Sequence, residues 1–313
     1  MNVKKSRVLV TGGCGFIGSH IVDRLIELNH EVIVIDNLIT GRLKNLNQKA
    51  IFFHGDVNDP YFLKNIFSNY KFDYVYHLAS IINTNVLEEN QVEDVDISVL
   101  STINLCKLCV QEKIKKIIFA SSVAVYGRGK GNKNIEDSRL NPIYSYGIAK
   151  ITAENYLRYF EHYYGLKYQI LRYSNIYGPR QPIFGEVGVI AIFTSLISQK
   201  KPVTIFGDGS NHRDYLFVED AVDFSIMVLE FNISETYNVA KGKSVSVNEV
   251  YECFKKSFKR PLEVNYAPER FGEIGNFSCS SLKARKTGWR PNHSLLKGIN
   301  KTLNYYIEKD ERS

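Results

Sequence analysis

The chain has 313 residues, of which 44% are hydrophobic and 23% are charged, the proportions of an ordinary globular protein with a full core. Its formal charge of +7 comes from lysines and arginines scattered among acidic residues, which argues against a nucleic-acid partner. We find no signal-peptide pattern and no apolar stretch of membrane-spanning length, so we expect no membrane partner and a cytoplasmic location.

The cysteines and histidines point to a reducing compartment and to no metal. Five cysteines form no even disulfide framework, and seven histidines are dispersed without ligand spacing. Cys106 and Cys109 have CxxC spacing, but no second pair follows, and they lie in an apolar helical stretch. We interpret both as core residues.

The first half of the chain alternates short apolar runs with helical patterns. Strands are predicted at 7–10, 31–36, 50–54, 74–77 and 116–120, and helices at 15–28, 60–69 and 91–111. Continuous apolar strands suit a parallel sheet that is covered on both faces. The alternation therefore predicts an α/β fold with a doubly wound parallel sheet of the Rossmann type.

The second half begins with a long helix and then becomes less regular. A helix is predicted at 146–164, closed by Gly165, followed by a strand at 168–173, a loop at 175–188, a helix at 189–198, a strand at 203–206, a helix at 217–231 and a strand at 236–239. We predict a nucleotide-binding domain over residues 1–174, with 213–240 returning to it. A smaller C-terminal α/β substrate domain is predicted over 175–212 and 241–313.

A glycine-rich loop follows the first predicted strand and opens the first predicted helix. Gly12, Gly15 and Gly18 permit a tight turn and a close approach of the backbone to a pyrophosphate. The amides of Phe16 and Ile17, at the helix N-terminus, are donors for its phosphates. In this strand-turn-helix context the loop predicts a dinucleotide site.

Asp36 ends the second predicted strand, where a carboxylate can accept both ribose hydroxyls of NAD. It would repel the 2′-phosphate of NADP, and no arginine directly follows it. Its neighbour Asn37 is a further candidate, and Asp56 with Val57 ends the third strand, where an adenine edge could be bound. The alternative is that Asp36 only caps a turn.

Tyr146 and Lys150 are four residues apart, about one helical turn, so both side chains stand on one helix face. A free tyrosine has a pKa near ~10 and is a weak base at neutral pH. A cation beside it is expected to lower that pKa, which makes proton abstraction from a sugar or alcohol hydroxyl feasible.

Several ordered motifs carry a resemblance to a known family. The chain resembles the extended short-chain dehydrogenase/reductases, and within them the nucleotide-sugar epimerases of the UDP-glucose 4-epimerase type, nearly end to end. The motifs that carry the resemblance are Thr11-Gly-Gly-Cys-Gly-Phe-Ile-Gly18, Asp36-Asn-Leu-Ile-Thr-Gly41, His77-Leu-Ala79, Ser121-Ser-Val-Ala-Val-Tyr-Gly127, Tyr146-x-x-x-Lys150, Arg172-Tyr-Ser-Asn-Ile-Tyr-Gly-Pro-Arg180, Gly185-Glu-Val-Gly-Val-Ile-Ala-Ile-Phe193, Phe206-Gly-Asp-Gly209 and Arg213-Asp-Tyr215.

The resemblance implies roles for individual residues. Tyr146 would be the general base, Lys150 its electrostatic partner and a ligand of the nicotinamide ribose, and Ser122 the hydroxyl that binds the substrate's 4-oxygen. Further NAD contacts are implied for Leu78, Ala79 and Tyr173. Contacts to the sugar nucleotide are implied for Asn175, Val189, Phe206, Arg213, Arg270 and Phe277, of which Asn175, Arg213 and Arg270 would hold the diphosphate.

The implied reaction is a 4-epimerisation that uses NAD without net redox. The sugar is oxidised at C4, the 4-keto sugar turns over, and the hydride returns to its opposite face. Ala124 stands where related dehydratases and decarboxylases resemble each other in having a glutamate, which argues against elimination. A bulky Phe277 is expected to exclude N-acetylated sugars, so UDP-glucose and UDP-galactose are the expected substrates.

Other readings stay open. An epimerase of UDP-N-acetylhexosamines or UDP-uronic acids, a nucleotide-sugar reductase, and a non-catalytic NAD or sugar-nucleotide sensor are the alternatives. The sequence departs from the family's N-V-x-G-T helix at Ser98 and Ser101, and Ile82 replaces a lysine that contacts the cofactor in some members.

The family forms dimers through a four-helix bundle, and the helices predicted at 91–111 and 146–164 are apolar around much of their circumference. Tyr156, Tyr159, Phe160 and Tyr163 lie on the outer face of the second helix. We therefore expect a homodimer through a helical bundle. The alternative is that these aromatic residues only cover the domain's own sheet.

Overall fold

The computed structural model describes residues 5–81, 91–128, 133–183, 188–258, 261–269 and 276–310. Its first half alternates strands and helices in the order β1 (Arg7–Thr11), α1 (Phe16–Glu27), β2 (Glu31–Asp36), β3 (Ile51–His54), α2 (Pro60–Asn69), β4 (Tyr74–His77), α3 (Gln91–Val95), α4 (Ser101–Gln111) and β5 (Lys116–Ser122).

The second half is built from a long helix and a larger number of short elements. They are α5 (Ser145–Tyr164), β6 (Tyr168–Tyr173), β7 (Asn175–Tyr177), α6 (Val189–Ser198), β8 (Val203–Phe206), β9 (His212–Phe217), α7 (Val218–Met227), β10 (Glu235–Val239), β11 (Ser244–Ser246), α8 (Val247–Ser257), β12 (Val264–Ala267), α9 (Leu282–Lys286) and α10 (Leu295–Asp310).

The main sheet has seven strands in the order β10-β6-β5-β4-β1-β2-β3. Strand β1 pairs in parallel with β2 on one side and with β4 on the other, and β2–β3 and β4–β5 are also parallel. The chain thus winds outward in both directions from β1, which confirms the doubly wound fold. Such sheets bind ligands where the strand order reverses, at the carboxyl ends of β1 and β4.

The strands of this sheet are apolar because helices cover them. Val8, Leu9 and Val10 of β1 are completely buried, as are Cys106 and Cys109 of α4. Both cysteines belong to the main hydrophobic cluster, and burial raises the pKa of each thiol. They are core residues, as the sequence indicated.

Helix ends follow local sequence signals. Asp59 accepts hydrogen bonds from the first amides of α2, and Pro60 occupies its first turn. Ser246 and Glu249 form a capping box at the start of α8, and α5 ends at Gly165, whose φ of 71° is left-handed.

The structure corrects two of the predicted elements. Residues 175–177 were predicted as loop, but they form β7, which pairs in parallel with β9, and β9 pairs antiparallel with β11. The segment 91–111 is not one regular helix, because Asp96–Leu100 forms a π-helical turn between α3 and α4. Strands of three residues give too few side chains for an alternating pattern, so periodicity does not detect them.

The chain divides into two compact units, each made of separate stretches. The first comprises 1–125, 142–172 and 222–237 and holds most of the seven-stranded sheet; the second comprises 126–141, 173–221 and 238–313. The second unit contains the three-stranded sheet β11-β9-β7 and the pair β12-β8, and its helix α10 contacts α6 and α8. The functional assignment of the two predicted domains stays a prediction.

Candidate active site

The glycine-rich loop is a close-packed turn between β1 and α1. Gly12 has a φ of 70°, and a Cβ atom placed on it would lie 2.7 Å from the backbone nitrogen of Ala79. A Cβ on Gly18 would lie 2.1 Å from the carbonyl oxygen of Gly12. Neither position has room for a side chain, so these glycines permit β1, β4 and α1 to approach one another.

The N-terminus of α1 offers backbone donors to an anion. Gly15 is its N-cap and provides no side-chain hydrogen bond, and no acidic residue lies in the first turn. The amides of Phe16 and Ile17 are among the helix-terminal donors that have no acceptor within the helix. With the helix dipole, this arrangement fits the pyrophosphate of a dinucleotide.

Asp36 lies at the end of β2 beside that loop and is 7% exposed. Its Oδ2 accepts from the amide of Cys14 (2.9 Å) and its Oδ1 from the amide of Leu38 (2.8 Å). Leu38 has a left-handed φ of 62°, which turns its amide back toward the carboxylate. A carboxylate has further acceptor sites, so Asp36 fits a cofactor with free ribose hydroxyls.

The residues predicted to bind the adenine end of the cofactor lie near Asp36. Asn37 donates to the Oδ2 of Asp56 at 3.3 Å, and Asp56 also accepts from the amide of Asn58. Val57 is buried, whereas Asp56 is exposed. The structure therefore joins Asn37 and Asp56 at one rim of the predicted dinucleotide site.

A buried hydrogen-bonded chain, not detected in the sequence, runs beneath the loop from Ala79 to Ile97. The amide of Ala79 donates to Thr11 Oγ1, which lies 2.8 Å from His77 Nδ1, and His77 Nε2 lies 3.1 Å from Ser101 Oγ. The Ser101 hydroxyl donates to the carbonyl of Ile97. Since each hydroxyl has one proton, Thr11 donates to Nδ1 and the His77 proton sits on Nε2.

His77 is neutral at pH 7. Burial lowers the pKa of His77 to about 3, with a further contribution from the charge of Lys150. Ser101, one of the departures from the family pattern, supplies the acceptor for the Nε2 proton. Leu78, half-buried like Ala79, follows His77 directly, so the chain fixes the segment that carries both predicted cofactor contacts.

Tyr146 and Ser122 lie near each other, close enough for the serine hydroxyl to lower the pKa of the phenol. Ser122 is the last residue of β5, and its Oγ also accepts from the amide of Ala124 at 3.1 Å. Gly147 makes the approach of α5 possible, because a Cβ there would lie 2.9 Å from the carbonyl oxygen of Ala124. The structure thus brings two of the three predicted catalytic side chains near each other.

Lys150 lies one turn further along α5 and is 1% exposed. Its Nζ is 4.8 Å from the ring centroid of Phe119 and 5.6 Å from that of Tyr146. Burial lowers the pKa of Lys150 to about 7, against the opposing attraction of Asp94 and Glu154. The cation that the sequence places beside Tyr146 is therefore only partly charged at neutral pH.

The expected lowering of the Tyr146 pKa by Lys150 is wrong for the protein without its cofactor. Burial raises the pKa of Tyr146 to about 12, and the nearby Ser122 hydroxyl, which lowers that pKa, only partly offsets the effect. Desolvation disfavours the phenolate more strongly than a half-neutral lysine can stabilise it.

Glu154, which no sequence motif indicated, anchors α5. Its carboxylate is completely buried and accepts from Arg172 Nε (2.9 Å) and Nη2 (2.7 Å), from Arg158 (2.9 Å) and from Ser121 Oγ (2.6 Å). These partners hold the pKa of Glu154 below its usual value despite burial. Ser121 precedes Ser122, so the cluster joins α5 to the strand end that carries the predicted catalytic serine.

The predicted diphosphate residues of the second unit lie on neighbouring strands. Asn175 on β7 donates to the carbonyl of Asp214, and Arg213 Nη1 donates to the carbonyl of His212 (3.0 Å). Asp214, fully buried, accepts from the amides of Lys241 and Gly242, and burial raises its pKa to about 6.

The remaining predicted substrate residues, together with the predicted NAD contact Tyr173, are spread over the second unit. Tyr173 is buried at the end of β6, Val189 begins α6, and Phe206 ends β8. Phe277 is 5% exposed, its amide donates to the carbonyl of His212, and its ring lies 6.5 Å from that of Tyr126. Arg270 and Ile82 lie outside the described residues.

One face of α4 and α5 in the first unit is apolar and exposed. Tyr159, Tyr163 and Tyr164 are 44%, 67% and 55% exposed, and a groove of about 420 Å³ runs beside them. Its lining residues are Ile103, Lys107, Val110, Gln111, Tyr156, Tyr159, Phe160 and Tyr164. Among the described residues, no helix combines the length and the apolar character needed to traverse a bilayer.

Comparisons with known proteins agree on one family. Residues 8–240 match the profile of the NAD dependent epimerase/dehydratase family. A Methanocaldococcus jannaschii protein provisionally named UDP-glucose 4-epimerase is 41% identical over 95% of this chain and 97% of its own length.

Two solved structures are similar in fold as well as in sequence. The Thermotoga maritima UDP-glucose 4-epimerase with UDP-glucose is 37% identical, with a TM-score of 0.93 over 97% of this chain and 99% of that one. The Methanobrevibacter ruminantium UDP-N-acetylglucosamine 4-epimerase, in complex with UDP-N-acetylmuramic acid, is 32% identical, with a TM-score of 0.92 over 98% and 100%. With this match of sequence and fold, the chain belongs to the NAD dependent epimerase/dehydratase family and is an NAD-dependent epimerase, an isomerase.

Proposed function

We propose that the protein is a UDP-sugar 4-epimerase that interconverts UDP-glucose and UDP-galactose by transient oxidation at C4. The observation that carries this proposal is that Tyr146 lies near the Ser122 hydroxyl at the end of β5, with Lys150 buried on the same face of α5, 5.6 Å from the Tyr146 ring. A phenol and a neighbouring hydroxyl form a proton-transfer pair for a sugar hydroxyl that bonds to both.

Tyr146 is the proton-transfer group of the proposed reaction. Its pKa of about 12 means that the phenolate, once formed, is a strong base for a sugar hydroxyl. Ser122 stabilises that phenolate by donating a hydrogen bond, and Lys150 does so when it is protonated. Restoring the proton to the 4-oxygen completes the cycle, since the same groups serve both directions.

The NAD site proposed for the first unit consists of the glycine loop, the α1 amides and Asp36. NAD, when bound, supplies a reversible hydride acceptor and, in its oxidised form, a positive ring charge. Lys150 is placed to hold the nicotinamide ribose, and Asp36 the adenosine ribose. Because the site must retain the cofactor through the whole cycle, the close-packed glycines serve retention as well as orientation.

The sugar nucleotide is proposed to be held by the second unit. Arg213 is the described residue best suited to the diphosphate, since a guanidinium fork matches phosphate oxygens. Asn175 lies on the strand beside it. Binding energy from the diphosphate keeps the keto intermediate in the site while its sugar ring rotates.

Dehydration is disfavoured by the residues around Ser122. Ala124, whose amide binds the Ser122 hydroxyl, has no carboxylate to shuttle the proton that water elimination requires. Epimerisation at C4 needs no such group.

The choice of substrate pair rests on Phe277. Its buried ring beside Tyr126 leaves less room than a small residue would at that position. The second candidate is an epimerase of N-acetylated UDP-sugars, because the similar Methanobrevibacter ruminantium protein is named for UDP-N-acetylglucosamine.

The first test is incubation of the purified protein with UDP-galactose and no added cofactor. A coupled dehydrogenase assay for UDP-glucose should show conversion, since the proposed site retains NAD. Tyr146→Phe should lower kcat by about 10²–10⁴-fold, whereas Tyr163→Phe, on the exposed face of the same helix, should not. No conversion with NAD supplied would refute the proposed substrate pair.

Substitution at Phe277 tests the substrate choice. Wild-type protein should convert UDP-galactose faster than UDP-N-acetylgalactosamine, and Phe277→Cys should raise kcat/KM for the N-acetylated sugar relative to the other. Equal use of both sugars by the wild type would remove Phe277 as the discriminating residue.

We also propose that two copies pair through the apolar face of α4 and α5. The groove and the exposed tyrosines present the kind of apolar surface that a helical bundle covers. Sedimentation analysis should show a dimer for the wild type and for Tyr61→Glu, an exposed control on α2, and a monomer for Tyr159→Glu. A wild-type monomer would refute the pairing.

A further inference from the structure

Asp94 is a buried carboxylate to which the proposed reaction assigns no role. It lies on α3, directly before the π-helical turn Asp96–Leu100, and is 4% exposed. The hydroxyl of Ser145 donates to its Oδ2. Ser145 is the first residue of α5 and immediately precedes Tyr146, so this bond ties α3 to the start of the catalytic helix.

The bond to Ser145 leaves the charge of Asp94 unneutralised, because a serine hydroxyl carries none. A buried carboxylate is costly without a positive counterpart. Two positive features lie on α5: the N-terminal end of the helix dipole and the ammonium of Lys150. The attraction of Asp94 raises the pKa of Lys150, and its repulsion of the phenolate raises that of Tyr146.

The other groups that face Lys150 contribute less charge. Glu154, on the same helix, is already matched by Arg172 and Arg158. Three other neighbours carry no charge at neutral pH. They are His77 on β4, the ring of Phe119 on β5, and Tyr146, whose pKa is about 12. On α3 and the π-helical turn, Glu93 is exposed and Asp96 is half-buried.

We propose that Asp94 is a positioning residue of the catalytic pair: its carboxylate, oriented by Ser145, increases the fraction of Lys150 that is in the ammonium form. This inference rests on the proposed function, since it takes Tyr146 and Lys150 as the reacting pair. It also offers a reason for the π-helical turn, because π turns cluster at functional sites and this one begins two residues after Asp94.

The test compares loss of the charge with loss of the hydrogen bond. Asp94→Asn keeps an acceptor for the Ser145 hydroxyl but removes the charge, whereas Ser145→Ala removes the bond and keeps the charge. Protein labelled with ¹³Cε-lysine, with the Lys150 signal assigned through Lys150→Met, reports the titration of that side chain without any substrate. Asp94→Ser is the second charge-removing variant, should the asparagine variant not fold.

We expect the titration midpoint of Lys150 to fall by about one pH unit in Asp94→Asn and by much less in Ser145→Ala. Since loss of an anion lowers the pKa of both members of the pair, both limbs of the pH profile of kcat/KM should move to lower pH. An unchanged midpoint in Asp94→Asn, or an equal change in Ser145→Ala, would overturn the proposal. The titration of Lys150 needs no catalysis. An inactive wild type would therefore refute the proposed function, and the titration midpoints of Lys150 would still decide whether Asp94 raises its pKa.

Discussion

Replacing Lys150 by methionine is expected to stabilise the protein once bound NAD has been removed, although the same change should abolish activity. The ammonium is buried against aromatic rings, and its pKa is about 7 against an ordinary value of 10.5. At about 1.4 kcal/mol for each pKa unit, burying the charge costs at most about 5 kcal/mol. That limit already includes the attraction of Asp94 and Glu154.

The measured gain should be smaller, because a methionine also changes the packing. Replacing buried charges by apolar groups typically stabilises a protein by about 1–4 kcal/mol, and we expect a value in that range at pH 6–7. The matched control is Lys116→Met. Lys116 is equally inaccessible, but its Nζ donates to the carbonyls of Val228, Leu229 and Phe231. Its loss removes the ammonium donor from all three carbonyls, of which, among the described residues, only that of Val228 also accepts a backbone hydrogen bond, from the amide of Phe231, so that variant should be less stable than the wild type.

The pH dependence has a definite sign. Below pH 7 both the folded and the unfolded protein carry the Lys150 proton, so the wild type bears the full cost of the buried charge. Between pH 7 and 10.5 only the unfolded chain keeps that proton, so wild-type stability rises and the advantage of Lys150→Met shrinks toward zero. Urea unfolding from pH 6 to pH 10 measures the difference. A destabilised Lys150→Met at pH 6, or a difference that does not change with pH, would refute this reasoning.

Three further substitutions test other parts of the structure. Gly18→Ala should abolish NAD binding in calorimetry, because its Cβ would lie 2.1 Å from a carbonyl oxygen. The control is Gly165→Ala, which has open space around it and should bind NAD normally. Because Gly165 has a left-handed φ, that control should lose about 1–2 kcal/mol of stability. Ser101→Gly removes the acceptor of the His77 Nε2 proton, and urea unfolding should show a loss of about 1–3 kcal/mol; no loss would mean that another group accepts that proton. Glu154→Gln leaves a buried guanidinium without its countercharge and should cost about 3–5 kcal/mol in the same measurement, an effect that a surface carboxylate would not show.

The features that the sequence predicted well depend on residues close together in the chain. The glycine loop is fixed by a seven-residue motif, and the pairing of Tyr146 with Lys150 by a single helical turn. The doubly wound sheet was predictable for a related reason, since an unbroken apolar run in the sequence indicates a buried parallel strand. In each case the local pattern and the final environment agree.

The features that were missed depend on partners far apart in the chain or on burial. Ser145 meets Asp94 across 51 positions, and Glu154 meets Arg172 across 18. No local pattern distinguishes such carboxylates from solvated ones. The direction of the Tyr146 pKa was mispredicted because desolvation, which only the folded structure reveals, outweighs the neighbouring cation.

The bonds of Lys116 have a consequence for the order in which the protein forms during synthesis. Its most distant acceptor, the carbonyl of Phe231, is 115 residues later in the chain, and the edge strand β10 comes later still. At about 5–20 residues per second, the ribosome needs roughly 6 to 23 seconds to add those residues. Throughout that interval the nascent chain already contains the glycine loop, and Tyr146 joins it partway through, yet the carbonyl of Phe231 that its buried ammonium requires is missing. We therefore expect the first unit to complete its fold only after residue 237 has left the exit tunnel, and NAD to be captured late in synthesis rather than when the nucleotide loop emerges.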